Sequence, residues 1–63
     1  MELRKRDIEI IELLCKDKKQ KYIADKVAIS LSGLEKDVCR IKSNFGVTTL
    51  HGLVYEYMIY KLG

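Results

Sequence analysis

Apolar residues recur along this chain at helical spacing, in four blocks separated by short polar stretches. In the first block Ile10, Leu13 and Leu14, with Ile11 at their edge, line one side, while Arg6, Glu9, Glu12 and Lys16 line the other. That pattern predicts an amphipathic helix from about Arg4 to Cys15. The run Lys16-Asp17-Lys18-Lys19-Gln20 has no apolar side chain and reads as a solvated connection. Its lysines suit the negative end of the preceding helix. A short second helix, about Gln20 to Val27, turns Ile23, Ala24 and Val27 inward. Residues 28–32 then leave room only for a tight turn, with Ile29 as an apolar plug.

In the third block Leu34, Val38, Ile41 and Phe45 repeat at i, i+4, i+7 and i+11, one face of a helix from about Ser32 to Asn44. Ser32-Gly33-Leu34-Glu35 matches a capping box, and Ser30 is a rival cap two residues earlier. Asn44-Phe45-Gly46 reads as the stop, with Gly46 free to adopt a left-handed cap. A fourth helix starts at Thr48 or Thr49 and runs to about Lys61. Gly52 weakens its first turn by about 1 kcal/mol against alanine, so that end is expected to fray. This helix is apolar on two sides: Leu50, Leu53, Val54 and Tyr57 form one stripe, and Tyr55, Met58, Ile59 and Leu62 the other. One stripe can cover the domain's own core. The second needs a cover from outside, which points to a dimer.

Length narrows the reading. Sixty-three residues make a single all-α domain, 1–63, with a core that is marginal at this size. The net charge of +3 permits a polyanionic partner without requiring one. Basic and acidic residues are interleaved, six against five over residues 1–19 and five against three over residues 20–46. Nucleic acid, if bound, must therefore be met by a shaped surface. The N-terminal run Met1-Glu2-Leu3-Arg4-Lys5-Arg6-Asp7 lacks the apolar stretch of a signal peptide, and no apolar run is long enough for a bilayer span. A cytoplasmic protein with no membrane association is expected.

Cys15 and Cys39 lack metal-ligand spacing, so no metal and no cofactor are expected. The two could pair as a disulfide in principle, and free thiols are the expectation in a reducing cytosol. His51 has no acidic or nucleophilic neighbour in sequence and reads as a surface residue. Tyr55, Tyr57 and Tyr60 read as core or interface and not as a platform for single strands. With no nucleophile–base pair and no phosphate-cradling glycine loop, an enzyme is not expected.

Two short helices joined by a tight turn follow the helix-turn-helix plan, in which the second helix enters the major groove. The inward residues of the third helix leave Ser32, Glu35, Lys36, Cys39, Arg40 and Ser43 on its outer face. Lys36 and Arg40, four apart, are expected to project together toward guanine O6 and N7 or toward phosphates.

Leu3-x-Lys5-Arg6-Asp7-x-Glu9-Ile10-x-Glu12-Leu13-Leu14, then Asp17-Lys18, Lys21-x-Ile23-Ala24, Ile29-Ser30 and Phe45-Gly46-Val47 resemble the LuxR/GerE-type helix-turn-helix domain over nearly the whole chain. The resemblance implies a four-helix transcriptional regulator, or its DNA-binding domain, that binds duplex DNA as a homodimer. It implies phosphate contacts from Lys19, Gln20 and Lys21 and base contacts from the third helix, through Ser32, Glu35, Lys36, Cys39 and Arg40. It also implies a dimer contact on the fourth helix through Tyr55, Met58, Ile59 and Leu62. The chain departs from the family pattern where Thr-Val-Lys/Arg-x-His usually opens the reading helix. It has Gly33-Leu34-Glu35-Lys36-Asp37 there, and Leu50 stands in place of an arginine. Two acidic residues on a DNA-facing surface motivate an alternative: a protein-interaction module or anti-activator that pairs with a regulator through helix four.

Overall fold

The computed structural model describes residues 3–63; Met1 and Glu2, the start of the charged N-terminal run, lie outside the described residues. Four α-helices follow one another: α1 Lys5–Cys15, α2 Gln20–Lys26, α3 Leu31–Phe45 and α4 Leu50–Leu62. No strand occurs among the described residues, and no helix there is long and apolar enough to cross a membrane. All four helices meet around one core of Ile10, Ile11, Leu13, Ile23, Ala24, Leu34, Val38, Ile41, Leu53 and Tyr57. Ile29 packs partly buried against that core, as expected of a plug between α2 and α3.

The helices α1, α2 and α3 stop in the same way. After α1, Asp17 takes φ 60° and its N–H donates to the Leu14 carbonyl, while Lys18 N–H donates to Leu13. After α2, Ala28 takes φ 60°, with Ala28 N–H bonded to the Asp25 carbonyl and Ile29 N–H to Ala24. After α3, Gly46 takes φ 69°, with its N–H on Ser43 and that of Val47 on Lys42. Each is a Schellman motif, in which a left-handed residue folds the chain back onto orphan carbonyls. Only the third uses glycine; an alanine between α2 and α3 holds a conformation disfavoured by roughly 1–2 kcal/mol.

The start of α3 differs from the capping box at Ser32. Ser30 is the cap, its Oγ accepting the Gly33 N–H at 3.0 Å. The capping-box position is then Gly33, which has no side chain to reach back, and Glu35 lies beyond the first turn. Ser30 wins because the Schellman turn at Ala28 redirects the chain early enough for Leu31 to begin the helix. At the start of α4, Thr49 Oγ1 accepts the Gly52 N–H at 3.0 Å. A Cβ added at Gly52 would sit 3.3 Å from both Thr49 Oγ1 and Val47 Cβ. The glycine thus admits the cap and the Val47 side chain together, and the end expected to fray is capped.

Candidate nucleic-acid interface

The core residues Leu34, Val38 and Ile41 fix one side of α3, and this decides which side chains face water. Ser32, Glu35, Lys36, Cys39 and Ser43 are all exposed. The first four of these line one shallow depression. Next to α3 in the chain, α2 carries Lys19 as its N-cap residue and Gln20 and Lys21 in its first turn. Lys19 and Lys21 are exposed and Gln20 is half-buried. No side chain caps α2, so its first N–H groups have no side-chain partner.

Arg40 departs from the expectation that it projects outward with Lys36. Its guanidinium turns back to α1, donating to Asp7 Oδ1 at 2.7 Å through one terminal nitrogen and to Oδ2 at 3.3 Å through the other. Asp7 is fully buried. Its Oδ2 also accepts the Arg4 backbone N–H at 3.1 Å, and the Arg4 Nε lies 3.7 Å away. Burial raises the Asp7 pKa, but the Arg40 hydrogen bonds, the Arg4 N–H and both guanidinium charges outweigh it and hold the carboxyl below its usual value. A buried carboxylate captures the arginine because an unpaired one would be costly, whereas solvated Lys36 has no such claim on it.

Asp37 belongs to the same network. Its Oδ2 stands 3.1 Å from Arg6, and its Oδ1 3.6 Å from Arg40. Its side chain is only 14% exposed, so one of the two acidic departures lies against α1 and is neutralised there. Glu35 alone presents a carboxylate on the outer face of α3.

Sequence reasoning passed over Asp7, although a signal was present. Asp7, Ile10, Ile11 and Leu14 fall at i, i+3, i+4 and i+7, placing a carboxylate on the apolar stripe itself. A second missed tie joins α1 to α4. Tyr57 Oη donates to Glu12 Oε2 at 2.7 Å and Lys61 Nζ donates to the same oxygen at 3.0 Å. Burial and the Glu12 carboxylate push the Tyr57 phenol up to about 12. The hydrogen bonds from Tyr57 and Lys61 lower the pKa of Glu12 in turn. Phe45 meets Tyr57 and Tyr60 edge-on, with ring centroids 6.4 and 5.8 Å apart, so Tyr57 is spent on the core.

On α4 the outer stripe stays bare: Tyr55 is 66% exposed, Met58 and Ile59 48% each, and Leu62 88%. An open-sided groove of about 430 Å³ runs beside Lys19 and Gln20, with Leu14, Cys15, Leu50, His51 and Val54 along it. Both cysteines are free thiols, Cys15 half-buried with its pKa raised by desolvation, and Cys39 exposed. Among the described residues no three metal-ligating side chains cluster. No protein-family model, curated protein or solved structure matches this chain.

Proposed function

We propose that this chain is a cytoplasmic transcriptional regulator, or its DNA-binding domain, of the LuxR/GerE helix-turn-helix type, in which α3 enters the major groove of duplex DNA. The observation that carries this reading is the outer stripe of α3, Ser32, Glu35, Lys36, Cys39 and Ser43, which stands exposed after a tight turn from α2. The exposed Lys19 and Lys21 at the start of α2 support phosphate contacts, because their ammonium groups can neutralise phosphates. Reading then rests on Lys36 with its polar neighbours, and Arg40 serves to hold α3 on α1. Two copies joined through Tyr55, Met58, Ile59 and Leu62 would present two such helices to a pair of half-sites.

Binding to mixed-sequence duplex at 50 and 200 mM salt tests the proposal. Neutralising about four phosphates lowers affinity by roughly a hundredfold across that range. Absence of binding at the lower salt overturns it. The bare α4 stripe and the single cation on the outer face of α3 favour a second reading, an anti-activator that pairs with a regulator through α4 and ignores DNA. Stable one-to-one association with such a regulator, coupled with no duplex binding, is its signature.

A further inference from the structure

Glu35 is the one acidic side chain on the outer stripe of α3, and among the described residues no cation pairs with it. Ser30 caps the helix, so Glu35 closes no capping box. The positions three and four residues away on α3 are Leu31, Ser32, Val38 and Cys39, so no cation sits where a helical ion pair would form. Lys36 likewise has no ion-pair partner among the described residues. Its neighbours at those spacings are Ser32, Gly33, Cys39 and Arg40, and the adjacent Asp37 is taken by Arg6 and Arg40. One acceptor and one cation therefore stand side by side on the rim of the depression shared with Ser32 and Cys39.

We infer that Glu35 and Lys36 together select a G·C-containing step, Glu35 accepting from the cytosine amino group and Lys36 donating to guanine O6 or N7. This rests on the DNA-binding reading above and deepens it. The chemistry follows from what the major groove offers. Phosphates repel a carboxylate, and so do the N7, O6 and O4 acceptors of guanine, adenine and thymine. The cytosine N4 amino group presents a donor without an adjacent acceptor on the same base, and its paired guanine supplies the two acceptors a lysine needs. With Arg40 withdrawn to Asp7, the outer stripe Ser32, Glu35, Lys36, Cys39 and Ser43 carries no net charge. Such a face gains little from phosphates in general, and a mismatched base leaves the carboxylate desolvated without a donor. Glu35 thus acts chiefly by rejecting other bases.

The test is selection of bound sequences from randomised duplexes by the 63-residue chain and by Glu35→Ala, with affinity measured at two salt concentrations. Glu35 is exposed and lies outside the core, so the variant folds, and helical circular dichroism confirms it. The wild type enriches cytosine at one position of each site by about tenfold. Glu35→Ala loses that preference while keeping its preferences elsewhere and its salt dependence. Equal base profiles for both proteins overturn this inference and leave DNA binding standing, as does a variant that binds every duplex more tightly with no change in profile. Failure of both proteins to bind any duplex at low salt overturns the inference and the DNA-binding reading together.

Discussion

Asp7 shows how a single residue in a small domain constrains the rest. Its carboxylate is fully buried, yet it stays ionised because Arg40 grips both oxygens and the Arg4 N–H completes the set. Removing the partner should cost more than the pair contributes, since the charge is then left uncompensated. Arg40→Met is expected to lose about 2–4 kcal/mol in urea unfolding, somewhat below the range for fully buried pairs because the Arg40 side chain is 36% exposed. Held by Arg40 and Arg4, the folded Asp7 carboxyl lies below its ordinary value. Its contribution is therefore complete at pH values above the unfolded pKa and lost as pH falls through the folded one. The stability gap between wild type and Asp7→Asn should accordingly be constant near neutrality and shrink below about pH 4. Tyr57 has the opposite sign. A phenol held at about 12 favours folding below its unfolded value near 10 and loses that contribution as pH rises toward 12. Absorbance titration should show one delayed phenolate step that is missing from Tyr57→Phe, which also loses about 1 kcal/mol.

Among the elements, the turn between α2 and α3 separates what the chain made legible from what it hid. The four helices followed from apolar spacing, and so did the inward face of α3, since Leu34, Val38 and Ile41 could be covered in only one way. Leu50, expected on the inner stripe of α4, is exposed, and Ile11, expected at the edge of the α1 face, is fully buried. The cap of α3 did not. Two serines stood at plausible positions, and the choice depended on the left-handed turn at Ala28, a conformation that alanine does not advertise. Ser30→Ala should cost about 1 kcal/mol, and Ser32→Ala should stay within about 0.5 kcal/mol of wild type. Ala28→Gly should raise stability by about 1 kcal/mol, offset in part by the greater entropy of the unfolded chain. The candidate interface was half legible for a related reason. Periodicity states which residues leave the core, and on that basis Ser32, Glu35, Lys36 and Cys39 were expected outside, where they lie. It cannot state where a long flexible arginine ends, and Arg40 sits at an angle from which Asp7 is within reach.

For the molecule as a whole, the unresolved business is the outer stripe of α4. A marginal core in so short a chain gains from a partner, and Tyr55, Met58, Ile59 and Leu62 are the large apolar groups that a second copy would cover. Sedimentation equilibrium should show a concentration-dependent dimer that Ile59→Asp dissociates, with helical content retained because Ile59 is half exposed and lies outside the core cluster. DNA recognition is assigned to α3 and the start of α2, and a titration of the isotope-labelled chain with a short duplex at low salt probes those residues. Amide shifts are expected to concentrate at Lys19, Gln20 and Lys21 and along α3 from Ser32 to Ser43. Unchanged spectra at saturating duplex, or shifts confined to α4, would contradict it.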